Sequence, residues 1–574
     1  MKHAIAAQPL DQIAPNGLDR LVAELMLLGS VFMAGLLCSG WLGLWFGISV
    51  TSWHLPVVAL GVVVLARQRR GSAAVALLIL ILAFGVSVLG ARAMFDGSWD
   101  GMVYHQLAIV AFRDGWNPTV DPHLLDWLTK QTNVPAFVVQ ALGDDSLAGD
   151  SIWSNHFPKG AWVMASIVAK ATGSLDSGKA FQLFLPCVAA ACLWRGLRTA
   201  KLTHAMSAIC ALAALASPVA IVQLGTNYVD GLLASALVML IGASLAWMNE
   251  RRTIDLVPLV FGVMLAANLK FSGAVYAGML ALMALFVPFA AGWRPNRAQL
   301  AVLGAGIGAL ILVSAQTYGH NVVAHGHPLY PLYPMDTAEI MRDQVASDFY
   351  ERGRFAKLAA SVFQVPSNSQ TATPQALVAV PSLEHYRELT LAVDTRFAGF
   401  GSLFGWSLLP ALACLLLGAV GISRLTTHRS SAVSVLLVIV WALLSMALNP
   451  EMWWARYVPQ LWLLPVLAAA LAWRAGWRRL AWGTVLLALL SAGLTLAFWL
   501  PRVQAEAKSV AWVWNRCTRV GNVPVLDVGP RIPGLFVLWA YARERGLTIS
   551  TVAGADCPER WQVSIGIIEI CPPR

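Results

Sequence analysis

The stretch AAVALLILILAFGVSVLGARAMFDGSWDGMVYH, residues 73–105, decides the fold of this chain. Residues 73–91 form an apolar run, and a helix needs about 20 such residues to cross a lipid bilayer. An acidic loop that contains Asp96 and Asp100 follows this run directly. Apolar runs recur along the sequence, and they predict thirteen membrane-spanning helices. These lie at 21–46, 52–66, 73–91, 179–193, 205–223, 229–247, 256–269, 272–290, 299–318, 400–421, 431–448, 457–473 and 480–499.

The composition agrees with a membrane protein. Of the 574 residues, 58% are hydrophobic and 12% are charged, whereas soluble domains carry about 25% charged residues. The net charge of +10 could indicate nucleic-acid binding, but the Lys and Arg residues stand in short clusters between apolar runs. Nucleic-acid-binding proteins concentrate such residues on one face. We therefore predict an all-α polytopic membrane protein with no nucleic-acid partner.

The basic clusters occupy every second connection between the predicted spans, as the positive-inside rule requires. They are Arg67, Arg69 and Arg70; Arg195, Arg198 and Lys201; Arg251 and Arg252; Arg294 and Arg297; Arg424 and Arg429; and Arg474, Arg478 and Arg479. This alternation puts residues 1–20 in the cytoplasm and, with thirteen spans, the C-terminus outside. The Ala- and Arg-rich composition favours a bacterium, so we predict a multi-pass protein of the inner (plasma) membrane with a periplasmic C-terminus.

Three large regions then lie on the periplasmic side. Two are loops of the transmembrane domain 21–500, a first loop at 92–178 and a second at 319–399. The third is the tail 501–574, whose alternating and helical periodicities predict a small α/β domain. Because Cys517, Cys557 and Cys571 lie in this tail, one disulfide is expected if the tail faces an oxidising compartment. The stretch 256–290 stays open between two short helices and one long bent helix.

The acidic side chains of the first loop are the first candidates for chemistry. Asp96 and Asp100 are four residues apart, beside the end of a span. A carboxylate there could take a proton from a hydroxyl group or bind a divalent cation. The alternative is a solvated acid at the entry to a loop. Composition alone does not separate these interpretations.

Other polar groups stand at the outer ends of the predicted spans. Asp230 and Lys270 begin or end spans, Arg456 lies between two spans, and His325-Gly-His327 opens the second loop. The segment Trp153–Gly160, with the apolar stretch that follows, predicts either a helix on the membrane surface or an interfacial turn with a snorkelling lysine. All these groups fall on the periplasmic side of the predicted topology. This convergence predicts a site at the outer leaflet, where a lipid-linked substrate would arrive.

The order of these motifs resembles that of the C-type glycosyltransferases, the GT-C superfamily. Its members are membrane enzymes that use polyprenyl-phosphate sugar donors. The resemblance is to the bacterial protein mannosyltransferase and lipid A aminoarabinose transferase groups, and it covers roughly residues 75–475. The family commonly has an Asp followed four residues later by a Tyr in its first long outer loop, as Asp100 and Tyr104 are here. The further motifs are NYVDG at 227–231, NLKFSG at 268–273, HGHPLYP at 325–331 and ARYVP at 455–459.

The resemblance implies a role for each of these residues. Asp100 would be the general base, with Asp96 as a second candidate, and the sugar would be transferred with inversion. The residues implied for the donor phosphate are Lys270, Arg456, Lys159 and His156. Those implied for substrate binding are Tyr104, His105, Asn227, Asp230, His325, His327, Tyr330 and Glu451. Because Gly101 follows Asp100 where family members have a second acid, the resemblance does not imply a definite cofactor, and a divalent cation (Mg²⁺ or Mn²⁺) stays open.

The implied partners are a polyprenyl-phosphate sugar donor, membrane lipid, and a glycolipid, polysaccharide or protein acceptor. Three other classes remain. A transporter or flippase for lipid-linked glycans would show inverted repeats and broken helices, and we find no internal repeat. An O-antigen-ligase or polymerase-type enzyme would use Arg and His residues of the second loop. A scaffold subunit would use the tail to bind a partner.

Overall fold

The computed structural model describes residues 17–69, 71–142, 148–333, 341–371, 378–422, 429–526, 534–552, 560–563 and 568–571. Helices dominate these residues, and a small sheet lies near the C-terminus. The helices are α1 (Gly17–Trp45), α2 (His54–Arg69), α3 (Ser72–Arg92), α4 (Gln106–Asp114), α5 (Leu124–Thr129), α6 (Ala136–Leu142), α7 (Ala148–His156), α8 (Gly160–Thr172), α9 (Ala180–Thr199), α10 (His204–Leu215), α11 (Pro218–Gln223), α12 (Asp230–Glu250), α13 (Thr253–Leu269), α14 (Phe271–Ala290), α15 (Arg297–Ser314), α16 (His320–His325), α17 (Ser347–Tyr350), α18 (Arg354–Val362), α19 (Leu383–Leu389), α20 (Ser402–Ile422), α21 (Arg429–Leu448), α22 (Gln460–Arg474), α23 (Arg478–Val520) and α24 (Leu535–Glu544).

Nine helical stretches of the described chain are long and apolar enough to cross a membrane. They contain α1, α3, α9, α12, α14, α15, α20, α21 and α23. The polytopic helical architecture is therefore confirmed. The other four predicted spans fall on shorter helices, namely α2, α10 with α11, α13 and α22, so a count of thirteen crossings stays a prediction. Between α10 and α11 the helix breaks because Ser217 caps a new helix that begins at Pro218.

Two helices, not one bent helix, occupy the stretch 256–290. Helix α13 ends at Leu269 and α14 begins at Phe271, and Lys270 between them has an extended backbone. The two helices pack against each other. The sharp reversal leaves Lys270 at one end of the bundle rather than inside a helix.

Helix α12 lies at the centre of the bundle. It is buried along almost its whole length, and it packs most extensively against α9. The close approach depends on Gly242 and Gly196, because a Cβ atom on either would overlap backbone atoms of the facing helix. Small residues at such a contact are typical of helix pairs in membranes. This packing fixes the position of Asp230, the first residue of α12.

Ion pairs cluster at the two ends of α12, which are about 30 Å apart. At its C-terminal end, Arg195 bonds to Asp255 at 2.7 Å and to Glu250 at 2.8 Å. At its N-terminal end, Asp230 joins another group of charges. The basic connections and the candidate site are thus at opposite ends of the bundle. Their sidedness with respect to the cytoplasm stays a prediction.

The segment around Lys159 is enclosed by protein. Residues 160–169 of α8 are all buried, and α8 packs against α1, α4 and α13. This burial contradicts both a surface helix with a lipid-facing side and a snorkelling lysine, whereas the depth of the turn in a membrane stays a prediction. Apolar residues occur on all faces of α8 because every face packs against protein.

The C-terminal region begins inside a continuous helix. Helix α23 has 43 residues and is therefore about 65 Å long, roughly twice the thickness of a bilayer core. The sequence-based boundary between 500 and 501 falls within it. Beyond it lie β1 (Asn522–Leu526), β2 (Thr548–Val552), β3 (Trp561–Val563) and β4 (Ile568–Ile570). The strand order is β2-β1-β4-β3, with β1 and β2 parallel and the other two pairs antiparallel.

The sheet region is attached to the first loop through α24. Arg113 pairs with Glu544, and Asp114 pairs with Arg543. The hydroxyl oxygen of Tyr541 is fully buried and lies 2.8 Å from Gln106 Oε1. The tail is therefore part of the packed structure.

One cysteine of the tail is oxidised, as expected. Cys571 is disulfide-bonded, whereas Cys517 is a free, buried thiol. Cys557 lies outside the described residues. Disulfides persist in oxidising compartments. The bond at Cys571 therefore favours a tail that lies outside the cytoplasm.

We expect Gly242→Ala to lower the free energy of unfolding by about 1–3 kcal/mol, since the new Cβ would force α9 and α12 apart. Thermal unfolding of the purified protein in detergent measures the change. Gly304→Ala in α15 is the matched control, because nothing lies within 4 Å of a Cβ there. Equal melting temperatures for the two variants would contradict the close packing.

Candidate functional site

Arg456 is the centre of the candidate site. It lies in a short 3-10 turn just before α22, and each of its three nitrogen atoms donates to a different carboxylate. Nε bonds to Asp230 at 3.0 Å, Nη2 to Asp100 at 2.8 Å and Nη1 to Asp394 at 3.4 Å. One guanidinium thus joins three separate parts of the chain.

The three carboxylates come from the same end of the helical bundle. Asp100 follows α3, Asp230 begins α12, and Asp394 precedes α20. Lys270, between α13 and α14, donates from Nζ to Asp230 at 2.6 Å. The sequence placed Asp100, Asp230, Lys270 and Arg456 on one side of the membrane, and the structure brings them into contact.

The charges of this group are almost balanced. Asp100, Asp230 and Asp394 carry three negative charges when ionised, against two positive charges on Arg456 and Lys270. Two of the residues that the resemblance implies for a donor phosphate, Arg456 and Lys270, are therefore already paired. A phosphate would have to displace a carboxylate in order to bind them.

Aromatic rings enclose the guanidinium. The Cζ atom of Arg456 lies 4.9 Å from the ring centre of Tyr228, 5.4 Å from that of Trp454 and 5.5 Å from that of Tyr457. Each contact is a cation–π interaction, which strengthens when water is excluded. The rings and the carboxylates together hold Arg456 in one orientation.

Asp100 is held in position but remains accessible. Its side chain is 18% exposed, against 1% for Asp230. The hydroxyl of Tyr104 bonds to its carboxylate, and its backbone N–H donates to Tyr228 Oη at 3.3 Å. Burial raises the pKa of Tyr104 well above its usual value, so the phenol stays a neutral donor. Asp100 therefore has fixed partners on one side and an open face on the other.

His105 lies next to this group. Its ring packs on Tyr104 with centroids 4.3 Å apart, and its Nδ1 atom accepts from Trp162 Nε1 at 2.9 Å. Burial lowers the pKa of His105 to about 4, so the neutral ring carries its proton on Nε2. Within the described part of the chain, this buried Nε2 has no hydrogen-bond partner. It is a donor that a substrate could use.

Asp96 binds neighbouring parts of the chain and does not contact Arg456 in the described structure. It is fully buried, and Oδ2 accepts from the backbone N–H of Asn227 at 2.7 Å and from its side-chain amide at 2.8 Å. Oδ1 accepts from Ser98. Both oxygens are thus occupied by neutral donors. We assign Asp96 and Asn227 a positioning role, because they tie the Asp100 loop to the start of α12.

The glycine after Asp100 has a steric cause. A Cβ atom on Gly101 would lie 2.5–2.6 Å from the carboxylate oxygens of Asp96 and also meet Ser98. Any larger residue would therefore push the Asp96 carboxylate away. This contact explains why position 101 is a glycine.

His156, His325 and Tyr330 form a separate histidine cluster with His320. The ring centres of His156 and His325 are 4.8 Å apart, and those of His325 and Tyr330 are 3.7 Å apart. Asn321 bonds to His156 Nδ1 at 2.8 Å. Burial lowers the pKa of His156 to about 4, so its ring is neutral at pH 7 and is a weak ligand for a phosphate. None of its described contacts includes Arg456.

Lys159 is also removed from the Arg456 group. Its side chain is fully buried, and Nζ donates to the backbone oxygens of Asn155 at 2.7 Å and Phe157 at 3.1 Å. Burial lowers its pKa to about 7. Cations favour the carbonyl end of a helix, and these oxygens lie at the end of α7. Lys159 is a structural cap in this structure.

The last two predicted residues have other partners. Glu451 accepts from the indole of Trp453 and pairs with Lys357 at 3.6 Å. His327 packs on Tyr333, with its Nδ1 accepting from Leu329 N–H at 3.2 Å. Neither residue contacts Asp100 or Arg456 in the described contacts. Glu451 thus contacts Lys357 of the second loop, and the 325–331 motif that contains His327 lies in that loop.

The residues present do not fit a divalent cation in this arrangement. Mg²⁺ and Mn²⁺ prefer several oxygen ligands, but Asp100, Asp230 and Asp394 direct oxygens at cationic side chains. Within the described ranges, no group of three His, Cys, Asp or Glu residues could hold a metal ion.

Sequence reasoning missed Asp394, Tyr228 and Arg396. Asp394 and Arg396 precede a span that begins near residue 400, so they stand at its outer end in the same way as the predicted residues. Their position before this span was the feature of the sequence that could have identified them as site residues. Tyr228 lies inside the 227–231 motif, but only the fold shows its ring against Arg456.

Comparison with known proteins gave no match: no protein-family model, curated protein or solved structure is significantly similar to this chain. The function therefore has to be argued from the geometry of the site together with the motif order.

We expect Asp230→Asn to lower the free energy of unfolding by about 3–5 kcal/mol, because two buried cations lose their shared partner. Adding Lys270→Met should recover part of the loss, since it removes one of those unpaired charges. Equilibrium unfolding in SDS–detergent micelles measures both variants. Glu384→Gln is the control, because both members of its pair with Arg387 are more than 60% exposed. Additive effects at 230 and 270 would refute the buried pair.

Proposed function

We propose that this chain is a membrane glycosyltransferase of the bacterial inner membrane. It moves a sugar from a polyprenyl-phosphate donor to an acceptor on the periplasmic side. The observation that supports this proposal best is the contact between Asp100 and Arg456. It joins an accessible carboxylate to a buried cation at one end of a bundle of apolar helices.

Asp100 is the general base of the proposed reaction. Its open face accepts a hydrogen bond from an acceptor hydroxyl and then takes the proton as that oxygen attacks the anomeric carbon. The bond between the anomeric carbon and the phosphate oxygen breaks, and the lipid phosphate leaves with the electron pair. Attack opposite the leaving group inverts the anomeric centre. Tyr104 donates its single O–H to Asp100 and so orients the base, and the Nε2–H of His105 is a neutral donor without a described partner.

Positive charge beside the leaving group is the second requirement. Preorganised cations stabilise the developing charge most in a site from which water is excluded. Arg456 and Lys270 are both largely buried, with side-chain exposures of 10% and 14%. They stand at the end of the membrane-length helices, where a prenyl chain could lie between helices in the lipid. The same end of the bundle therefore offers positive charge for the leaving phosphate and access to lipid for the prenyl chain.

Two further observations support a periplasmic site. Cys571 is disulfide-bonded, which is typical of an oxidising compartment. The basic connections, which favour the cytoplasm, lie at the other end of α12, around Arg195 and Arg252. Both agree with a donor presented at the outer leaflet.

A second candidate is an O-antigen-ligase or polymerase-type enzyme. Such an enzyme relies on side chains of the second loop, and Asp394 of that loop contacts Arg456. Arg396 is two residues further on. Loss of transfer in Arg396→Gln together with full transfer in Asp100→Asn would favour this candidate over the first.

We expect Asp100→Asn to reduce sugar transfer by about 10²-fold or more, because general-base catalysis contributes at least that factor. The assay follows release of polyprenyl phosphate from a panel of labelled polyprenyl-phosphate hexoses and pentoses in nanodiscs. Asp126→Asn, an exposed acid of the same loop, is the matched control and should keep full activity.

Two results would contradict the proposal. Transfer at the wild-type rate by a folded Asp100→Asn variant would remove Asp100 as the base. Passage of the lipid-linked sugar across a liposome membrane, without any transfer, would replace the enzyme with a flippase.

A further inference from the structure

The contact between Arg456 and Asp394 is the weakest of the three ion pairs in the site. It measures 3.4 Å, against 2.8 Å for Asp100 and 3.0 Å for Asp230. Asp394 is also the most exposed of the three carboxylates, at 23%. Of the bonds to Arg456, this one breaks most easily, and its carboxylate has water to move into.

The backbone around Asp394 is held independently of its side chain. The indole N–H of Trp454 bonds to the carbonyl oxygens of Asp394 at 3.3 Å and Thr395 at 3.1 Å. The backbone N–H groups of Arg396 and Phe397 both donate to Ser367 O at 3.0 Å. A rotation of the Asp394 side chain would therefore free the Nη1 atom of Arg456 without moving the loop.

Arg396 is a buried cation without an acidic partner among the described residues. It is 6% exposed, and its Nη1 atom donates to the backbone and side-chain oxygens of Asn368, both at 2.6 Å. Nη2 donates to Gln344, and the buried Nε atom has no partner in the described structure. The hydrogen bonds of Arg396 go only to neutral oxygens, and Asp394 is the nearby carboxylate that opposes its charge.

The two arginines are neighbours across one ring. The Cζ atoms of Arg396 and Arg456 lie 5.6 Å and 5.4 Å from the centre of the Trp454 ring. Asp394 is two residues from Arg396 and bonds to Arg456. The carboxylate of Asp394 therefore lies near two guanidinium groups, and both of them stabilise an anion at this position.

We propose that Asp394 occupies, on Arg456, the position taken by the phosphate of the lipid-linked donor, and that Arg396 is the second cation of this phosphate subsite. This inference rests on the proposed glycosyl transfer and names a substrate-binding element of the same site. Carboxylate and phosphate are alternative ligands for guanidinium. The donor displaces Asp394 toward water, and Arg396, which forms no ion pair among the described residues, supplies a second positive charge.

The electrostatics of the exchange favour it. Asp100, Asp230 and Asp394 balance Arg456, Lys270 and Arg396 when all six are charged. Burial raises the pKa of Asp394, because the charged carboxylate is poorly solvated where it lies. Moving it into water removes that cost, and the incoming phosphate restores negative charge beside Arg456.

The test measures binding of a sugar-free lipid phosphate, so that it does not depend on catalysis. Farnesyl phosphate is titrated into the full-length protein in nanodiscs and followed by tryptophan fluorescence, with farnesol and inorganic phosphate as parallel ligands. We expect Asp394→Asn to bind farnesyl phosphate about tenfold more tightly, since one charged hydrogen bond no longer competes. Arg396→Gln should bind about tenfold more weakly. Glu384→Gln, an exposed acid of the same loop, should match the wild type.

Several outcomes would overturn the inference. One is an unchanged or weaker affinity in a folded Asp394→Asn variant, with folding checked by thermal unfolding. Asp394→Glu keeps the charge, so an affinity gain as large as that of Asp394→Asn would also count against displacement. If farnesol or inorganic phosphate bound as tightly as farnesyl phosphate, the subsite would not be specific for a lipid phosphate. Each of these can occur while Asp100 remains essential for transfer, so the two proposals fail separately.

Discussion

The triple pairing of Arg456 is the interaction on which the site depends. A guanidinium that is almost wholly removed from water is stabilised strongly when its donors bind anions. Here each anion arrives from a different region: the loop after α3, the start of α12 and the loop before α20. The charge of one side chain therefore fixes where three helix ends can lie. The aromatic rings around it exclude water and make each pairing stronger than it would be at a surface.

The sequence predicts the architecture well and the site in part. Apolar runs mark the helices because lipid tolerates little else, and motif positions placed Asp100, Asp230, Lys270 and Arg456 on one side. They did not reveal which groups touch. Lys159 and Asp100 look alike as polar residues near an apolar run, yet one caps a helix inside the protein and the other faces an opening. That difference depends on long-range packing, which periodicity does not encode.

The tail contributes to the site through a chain of neutral hydrogen bonds. Tyr541 of α24 lies 2.8 Å from Gln106 Oε1, and the amide of Gln106 donates to the backbone oxygen of Asp96 at 2.8 Å. The Asp96 carboxylate in turn holds Asn227, next to Tyr228. The loop that carries Asp100 is thus supported from the periplasmic side of the predicted topology as well as from the bundle. Nothing in the local sequence of 501–574 signals this contact, because its partners are several hundred residues away.

Helix α23 runs without interruption from the bundle to the sheet, and α24 returns from the sheet to the first loop. Helix α23, the sheet and α24 therefore link the helical bundle to the first loop. The first loop is attached both to the bundle and to α24. Loss of the Arg113–Glu544 and Asp114–Arg543 pairs would release the first loop from the tail. The position of the loop that carries Asp100 therefore depends on side chains from the far end of the sequence.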